Sequence, residues 1–195
     1  THVLNMLAGG KFQSGESIGK SLGISRMAIS KAIKGLNQQG LNIASVPGKG
    51  YQLDSPVQLL DKQLICSALS ETGTGSCQIE VLQQVESTSD YLLEQSRLRD
   101  VNRHVCIAET QSSGRGRRQR GWHASPYRNV VLSMGWRFDD GMSGLAGLGI
   151  AAGITIARTL HESGFDNGIG LKWPNDIVWN DSKLGGLLID VRGEH

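Results

Sequence analysis

Apolar residues in the first 40 positions recur at helical spacing and predict three short helices. The first covers positions 3–7 and ends at a pair of glycines. Ser14 is placed to cap a second helix over 15–22. After a tight turn, Ser25 is placed to cap a third helix that runs to about position 39. The N-terminal part of the chain is therefore predicted to be helical.

The third predicted helix has one apolar and one basic face. Ile29, Ile33 and Leu36 repeat at i, i+4 and i+7 and must face inward. Two helices joined by a short glycine-containing turn, the second with a polar basic face, are typical of a helix-turn-helix. Together with the turn that follows, this helix supplies the residues that we predict to contact DNA: Ser25, Arg26, Ser30, Lys31, Lys34 and Lys49.

A hairpin follows the three helices. Positions 41–46 and 51–53 read as strands, and 47–50 as a turn that carries a lysine. A hairpin with a basic tip beside a helix-turn-helix is typical of a winged helix, whose wing grips phosphate while the helix enters the major groove. A winged helix used only for protein contact is the alternative. We predict a winged helix-turn-helix DNA-binding domain over 1–54, a linker over 55–60 and a second domain over 61–195.

The second predicted domain alternates strands and helices and ends in hairpins, a pattern that indicates an α+β fold with one mixed sheet. A long helix rich in glycine and alanine, 145–161, is predicted to lie close against that sheet as part of the core. The other predicted helices cover 61–69 and 90–97, and the predicted strands 79–85, 105–110, 130–136, 171–173, 176–179 and 183–191.

The connection from Gln111 to Tyr127 is about 17 residues long, beyond the roughly 12–15 usual for a structureless loop in a compact domain. Its sequence, QSSGRGRRQRGWHASPY, interleaves arginine with glycine. Arginine offers a planar fork of donors to phosphate or carboxylate, and glycine lets the main chain approach a ligand closely. We predict an anion-binding loop that is mobile over about 112–125 until a ligand orders it. A solvated basic loop that touches nucleic acid is the alternative.

A second candidate site lies near the C-terminal end of the sequence. In KWPND, Lys172 projects from a strand, and Asn175 and Asp176 follow the proline. An amide and a carboxylate suit a Mg²⁺-nucleotide, because magnesium takes one or two carboxylates together with phosphate oxygens and water. Lys183 lies across a turn at Asn180 and Asp181, so its ammonium group can converge on the same place. By themselves these residues also fit a hairpin with ordinary surface charges.

Composition limits the remaining possibilities. The 195 residues carry a net charge of only +2, so whole-chain charge alone does not indicate a nucleic-acid partner. Cys66, Cys77 and Cys106 form neither a metal-binding pattern nor a disulfide framework, which suits a reducing cytoplasm. No apolar run approaches the roughly 18 residues of a membrane span, so we expect no membrane partner. A start at Thr1 and a stop in a polar run after a strand predict a fragment.

Three motifs carry a family resemblance: GRGRRQRGW at 114–122, KWPND at 172–176 and KLGG at 183–186. They closely resemble the biotin–protein ligases. The winged helix narrows the likeness to the bacterial bifunctional type, which is both a ligase and the biotin operon repressor. The resemblance covers essentially the whole chain. It implies that 61–195 is the N-terminal part of a mixed-sheet biotin/lipoate ligase-like catalytic domain, truncated before the C-terminal SH3-like barrel.

The resemblance also implies a reaction and its partners. Biotin is expected to react with ATP, with Mg²⁺ as cofactor, to give biotinyl-5′-adenylate, from which a lysine of the biotin carboxyl carrier protein takes the biotin. Biotin is then both substrate and effector, because the adenylate-bound protein is expected to form a homodimer on biotin operator DNA. The edge of the last predicted strand, 185–192, is a candidate dimer surface. Two alternatives are a biotin-sensing repressor without ligase activity and a monofunctional ligase, which the winged helix argues against.

The site residues follow from the same resemblance, motif by motif. Lys183 and Arg117 are the expected catalytic residues, and Asp176 is the expected metal ligand. At positions 87–89 the family reads Ser-Thr-Asn, and Ser89 replaces the asparagine here. The residues expected to bind biotin are Ser87, Thr88, Ser89, Gln111, Arg115, Gly116, Arg117 and Lys183. The residues expected to bind ATP or the adenylate are Arg118, Arg120, Trp122, Lys172, Asn175 and Asp176.

Overall fold

The computed structural model describes residues 2–73, 76–139, 145, 147–165 and 168–192. The chain forms two compact units, one of residues 1–114 with 123–136 and the other of residues 115–122 with 137–195. The first unit contains the winged helix and also a sheet of the second predicted domain. The domain boundaries proposed from the sequence, at 54/55 and 60/61, stay a prediction.

The secondary structure is α+β, as the sequence predicts. In chain order the elements are α1 (His2–Leu7), α2 (Gly15–Leu22), α3 (Arg26–Gln38), β1 (Ile43–Val46), β2 (Gly50–Leu53), α4 (Lys62–Glu71), β3 (Gln78–Val85), α5 (Thr88–Gln95), β4 (His104–Gln111), β5 (Gly114–Arg115), a 3-10 turn (Arg117–Gln119), β6 (Gly121–Trp122), β7 (Val131–Gly135), α6 (Leu148–Glu162), β8 (Ile169–Lys172), β9 (Asp176–Trp179) and β10 (Ser182–Gly186).

The structure confirms the predicted winged helix. Its helix starts and its wing are set by contacts between residues close together in the sequence. The Ser14 hydroxyl accepts a hydrogen bond from the Ser17 N–H at 3.0 Å, and the Ser25 hydroxyl accepts one from the Ala28 N–H at 3.2 Å. Each hydroxyl satisfies an N–H group that has no partner within its helix. Strands β1 and β2 pair antiparallel to form the wing. Gly50 has a φ of 99°, and a Cβ there would collide with the Gln13 carbonyl, so glycine is required.

The winged helix has its own hydrophobic core. The predicted inward face of α3, made of Ile29, Ile33 and Leu36, is buried. It packs with side chains from α1, α2 and both wing strands. Tyr127, which comes from far along the chain, joins the same core. No local sequence pattern predicts this core contact, because Tyr127 lies in a connection without hydrophobic periodicity.

The first unit also contains a mixed sheet with the order β3-β4-β7. Strands β3 and β4 are parallel, and β4 and β7 are antiparallel. Within the described ranges, β8, β9 and β10 form a separate antiparallel sheet with the order β10-β9-β8. The prediction of one mixed sheet is therefore wrong, because the described strands of this region form more than one sheet. Strand periodicity identifies strands but not their hydrogen-bonded neighbours.

One carboxylate on β3 organises a charged cluster beside this sheet. Glu80 accepts a hydrogen bond from the Tyr91 hydroxyl at 2.6 Å, and it lies 3.3 Å from Nε2 of the buried His104 and 3.4 Å from Arg99. The Tyr91 hydrogen bond, with help from His104 and Arg99, holds the pKa of Glu80 below its usual value despite burial. The same bond and burial raise the pKa of Tyr91 to about 12.

This cluster predicts a pH dependence of folding stability. A carboxylate with a lowered folded-state pKa stabilises the fold above its unfolded pKa of 4.5, and this contribution is lost as the pH falls through the folded value. We expect Glu80→Gln to lower the free energy of unfolding by about 1–2 kcal/mol at pH 7. The variant should also flatten the fall in stability below pH 4.5 in urea titrations. Glu94→Gln, an exposed change on the helix that carries Tyr91, should change neither.

The long helix of the second unit differs from its prediction. Helix α6 begins at Leu148, three residues after the predicted start, and Gly153 is its one buried residue, so the prediction that the helix is core is wrong. Gly153 does lie close to the sheet, since a Cβ there would be 3.2 Å from Leu171 on β8. Ile150 and Ile154 are exposed. No helix among the described residues is long and apolar enough to cross a membrane.

Strand β10 is shorter than predicted. It ends at Gly186, whereas the apolar run predicts a strand to position 191. The Leu187 N–H donates to the Asn175 carbonyl at 2.9 Å, and the Asn175 side chain donates to the Leu187 carbonyl at 2.7 Å. Strand β10 ends there because its partner β9 begins at Asp176, the residue paired with Gly186. In the described part of the chain, strand β10 is nevertheless an edge strand of its sheet.

Candidate functional site

The arginine–glycine loop has secondary structure of its own. Strands β5 and β6 pair with each other, and the Gly116 N–H donates to the Arg120 carbonyl at 2.7 Å. Between them Arg118 and Gln119 have positive φ values of 56° and 59°, an uncommon conformation that makes the turn tight. The sequence shows no sign of this ladder, because two-residue strands are too short to display a period. The predicted mobility of the loop without ligand stays a prediction.

In the second unit, the loop and the final hairpin bring three candidate side chains together. Lys183 Nζ lies 2.7 Å from Asp176 Oδ1 and 5.0 Å from the centre of the Trp122 ring. Lys183 lies on β10 opposite Val178 of β9, and Asp176 begins β9, so the hairpin itself sets this approach. An ammonium group over an indole face is a favourable contact. The cluster of Lys183, Asp176 and Trp122 is called the lysine cluster below.

Gly186 leaves space at the middle of the lysine cluster. A Cβ at this position would lie 3.4 Å from Lys183 Cε, 3.4 Å from Trp122 and 3.5 Å from Asp176 Oδ1. These are ordinary van der Waals distances, so the last glycine of KLGG lies directly against all three groups of the cluster.

Two arginines of the loop bind polar side chains in the same unit. Arg117 Nη1 donates to Asn175 Oδ1 at 3.4 Å, which joins the loop to the KWPND turn. Arg115 Nη2 lies 3.3 Å from Asp190 Oδ2. The remaining predicted adenylate residues, Arg118, Arg120 and Lys172, are exposed. Lys172 stands opposite Asp176 in the β8–β9 register.

A buried polar cluster lies in the first unit where β3 meets α5. The Ser87 hydroxyl caps α5 by accepting from the Asp90 N–H at 3.2 Å. Thr88 donates its N–H and its hydroxyl to Gln111 Oε1 at 2.9 and 3.2 Å. Ser87 and Thr88 are almost fully buried, and Ser89 is half-buried in the first turn of the helix. We call these residues the hydroxyl cluster.

Ser133 is a member of the hydroxyl cluster that the sequence does not single out. Its hydroxyl lies 2.9 Å from the Thr88 hydroxyl. Ser133 sits at the middle of β7, where the antiparallel pairing places it opposite Cys106 of β4. The one available signal is a lone hydroxyl in the apolar strand VVLSMG. Such a signal is too weak to assign a role without the sheet register.

The metal-binding capacity of the lysine cluster is limited. Among the described residues, no group of three or more histidine, cysteine, aspartate or glutamate side chains converges to hold an ion. Asp176 offers one carboxylate, which suits Mg²⁺ when phosphate oxygens and water supply the other ligands. The residues therefore fit a magnesium ion that arrives with a nucleotide, rather than one held by protein alone.

The predicted DNA-contacting residues lie at the surface of the winged helix. Ser30, Lys31 and Lys34 are exposed on one face of α3. Arg26 lies 3.6 Å from Glu16, and both side chains are 81% exposed, so this ion pair holds Arg26 only weakly. Lys49 lies in the wing turn with its ammonium 5.7 Å from the centre of the Phe12 ring. Ser25 is engaged as the cap of α3.

Comparison with known proteins shows which families this arrangement resembles. Residues 81–195 match the model of the biotin/lipoate A/B protein ligase family, and residues 1–52 match that of an HTH domain. The bifunctional ligase/repressor BirA of Salmonella typhimurium is 42% identical over 193 residues, and that of Escherichia coli is 41% identical over 193. Each alignment covers 98% of this chain and 58% of the relative, so the chain spans little more than half of their length.

A solved structure supports the same assignment of the fold. The biotin protein ligase from Leishmania major in complex with biotinyl-5-AMP superposes with a TM-score of 0.53 at 27% identity. The superposition covers 60% of this chain and 53% of the other.

Proposed function

This chain belongs to the biotin/lipoate A/B protein ligase family, and we propose that its protein is an ATP-dependent biotin–protein ligase that also represses the biotin operon. The observation that carries the proposal is the lysine cluster, in which Lys183 Nζ lies 2.7 Å from Asp176 and over Trp122. A ligand-sensing repressor without chemistry has no need for such a group beside a carboxylate and an aromatic ring. The helix-turn-helix at 1–52 supports the second activity.

The first step would join two anions. A biotin carboxylate oxygen attacks the α-phosphorus of ATP, the bond from that phosphorus to the bridging oxygen breaks, and pyrophosphate leaves with the electron pair. Lys183 would neutralise the carboxylate and the phosphate as they meet, and Arg117 would bind the same oxygens. Positioning and neutralisation of this kind account for much of the rate in such reactions. Mg²⁺, held by Asp176 and the ATP phosphates, would supply further positive charge.

The remaining residues would bind rather than react. The indole of Trp122 packs against the adenine, and Arg118, Arg120, Lys172 and Asn175 face the phosphates. Arg115 and the Gly116 backbone cover the adenylate. An acceptor lysine of the biotin carboxyl carrier protein then attacks the acyl carbon, AMP leaves, an amide forms and the amine loses a proton.

The hydroxyl cluster would bind the ureido ring of biotin. That ring presents a carbonyl oxygen and two N–H groups, which need both donors and acceptors. Ser87, Thr88 and Ser89 carry hydroxyls that can do either. The side-chain oxygen of Gln111 already accepts two hydrogen bonds from Thr88, which orients its amide nitrogen. Burial strengthens the selectivity, because a ligand without these groups would leave buried polar atoms unpaired.

The test of the proposal is synthesis of the adenylate by the intact protein. Incubation with biotin and α-labelled ATP should give a retained labelled biotinyl-adenylate and free pyrophosphate, and addition of an acceptor domain should release labelled AMP. Biotin binding without any labelled adenylate would instead indicate a sensor without chemistry. A protein that binds neither biotin nor ATP would contradict the proposal as a whole.

We also propose a homodimer that forms with the adenylate and binds operator DNA. Helix-turn-helix proteins reach specificity by binding paired half-sites, and β10, an edge strand among the residues that the structure describes, can pair through its backbone with a second copy. Sedimentation of the intact protein should show a dimer affinity raised by biotinyl-adenylate, because the ligand shifts an equilibrium whose states it binds differently. A protein that stays monomeric with adenylate, and still binds a two-half-site operator with undiminished affinity, would refute this coupling.

A repressor must work where its operator DNA lies, so we propose a cytoplasmic location. The free thiols of Cys66, Cys77 and Cys106 are consistent with a reducing compartment.

A further inference from the structure

Asp190 brings a carboxylate to the arginine–glycine loop. It is the one charged residue in the apolar run GLLIDV, which begins at the last residue of strand β10. Its Oδ2 lies 3.3 Å from Nη2 of Arg115, the first arginine of the loop. The side chains of Asp190 and Arg115 are 32% and 24% exposed, so water and salt screen this pair less than they screen a fully exposed one.

A second contact holds the loop on the other side of Gly116. Arg117 Nη1 donates to Asn175 Oδ1 at 3.4 Å, and the Asn175 side chain donates to the Leu187 carbonyl at 2.7 Å. Leu187 lies three residues before Asp190 in the same segment, so the contacts close on themselves. We call this closed set of contacts the polar ring; its members are Arg115, Arg117, Asn175, Leu187 and Asp190.

The polar ring fixes both the backbone of the loop and an aromatic side chain. Gly116 lies between the two arginines of the ring, and its N–H donates to the Arg120 carbonyl at 2.7 Å. Arg115 also belongs to β5, which pairs with β6, and β6 carries Trp122 of the lysine cluster. A shift of Arg115 would therefore move the main chain at Gly116 and the ring that lies beside Lys183.

The contact with Asp190 also limits what the guanidinium group of Arg115 can do. A carboxylate at this distance offsets much of its charge, so Arg115 attracts an incoming anion less strongly than a solvated arginine does. Arg118 and Arg120, in contrast, are exposed. Within the loop, Arg115 is thus placed as a fixed point, and Arg118 and Arg120 as side chains that can reach an anion.

We propose that Asp190 is a positioning residue of the ligase, which acts through Arg115 to hold the arginine–glycine loop in the conformation that receives biotin. A loop that is held before the ligand arrives loses less conformational freedom on binding, so the affinity for biotin is higher. Removal of the carboxylate frees Arg115 and leaves Lys183 in place. This inference rests on the proposed function, since it takes biotin as the ligand of the loop.

The test compares the biotin dissociation constants of variants of the intact protein, measured by calorimetry without ATP, so that neither adenylate nor an adenylate-linked dimer enters. We expect Asp190→Asn to raise the constant by about ten-fold, within the range of coupling between neighbouring charged groups. Asp190→Glu, which keeps the carboxylate, should recover most of the affinity. At saturating biotin the rate of adenylate formation should be unchanged, because a lost binding contact raises KM and not kcat.

A double-mutant cycle shows whether Asp190 acts through Arg115. Arg115→Gln should weaken biotin binding by itself, and the addition of Asp190→Asn should then weaken it no further, whereas general damage to the fold would add to the effect. Asp181→Asn is the matched control, because it removes an exposed carboxylate from the turn between β9 and β10. This variant should keep the wild-type constant.

Unchanged biotin affinity in Asp190→Asn would overturn the inference. Tighter binding would overturn it too, because the carboxylate would then withhold Arg115 from the ligand. Additive effects of the two changes, or an Asp190→Glu protein as weak as Asp190→Asn, would exclude action through Arg115. A wild type that binds biotin but forms no adenylate would overturn the proposed ligase, while the biotin constants would still decide the role of Asp190. A wild type that binds no biotin would overturn both.

Discussion

Lys183→Met is expected to lower the rate of biotinyl-adenylate formation by about 100-fold or more, because removal of one preorganised donor to developing charge costs about this much in other enzymes. Methionine keeps most of the length of the side chain but cannot neutralise the carboxylate and phosphate that must meet. The effect should appear in kcat with little change in the affinity for biotin, since the charge matters most when the two anions approach. Single-turnover formation of labelled adenylate in the intact protein measures it.

The fold should tolerate this change. The Lys183–Asp176 ion pair is partly exposed, at 45% and 25%, and such pairs contribute about 0–1 kcal/mol to stability. Lys62→Met, which removes an exposed lysine at the start of α4, is the matched control and should leave both rate and stability unchanged. A Lys183→Met protein that forms adenylate at the wild-type rate would remove Lys183 from the reaction and leave the lysine cluster a structural ion pair.

The double variant Lys31→Ala and Lys34→Ala is expected to weaken operator binding by about 10- to 100-fold at physiological salt, because each lysine would give up a charge-assisted contact to phosphate. The slope of log affinity against log salt concentration should also become shallower by about two units, since each lost phosphate contact removes about 0.9. Both lysines are exposed on α3, so their replacement should leave the stability of the fold unchanged. Adenylate synthesis should be unchanged.

Operator affinity measured across a series of salt concentrations checks this prediction. Lys62→Ala is the control, because it removes one exposed lysine from a helix outside the winged helix. A fall in affinity with an unchanged salt slope would point to a lost base contact instead of a lost phosphate contact. Unchanged affinity in the double variant would mean that the winged helix does not bind DNA through this face.

Several features of this protein follow from residues close together in the sequence. Ser14 and Ser25 cap their helices because a hydroxyl reaches an N–H group three residues on. The apolar face of α3 is buried as its spacing requires. Lys183 and Asp176 meet because one tight turn joins the two strands that carry them, so their approach needs no distant part of the chain.

Other features depend on contacts between distant parts of the chain. Ser133 reaches Thr88 only through the register of β7 on β4, and a strand period does not reveal a register. Helix α6 has the composition of a core helix, yet half of its apolar side chains are exposed and none is fully buried, because composition does not state how much surface a partner covers. Strand β10 ends at Gly186 because its partner strand β9 begins at Asp176, opposite Gly186, and an apolar run does not show where a partner strand ends.

The sequence by itself determined the winged helix, the strands and helices with strong local periods, and the motif residues that indicate a biotin ligase. Only the tertiary structure decided that Tyr127 packs into the winged-helix core and that Arg128 pairs with Asp54. The physical reason is how far apart along the sequence the contacting residues lie. Caps, turns and helical faces are set by neighbours within a few positions. A contact with a distant segment forms only when the chain folds and brings that segment into the core.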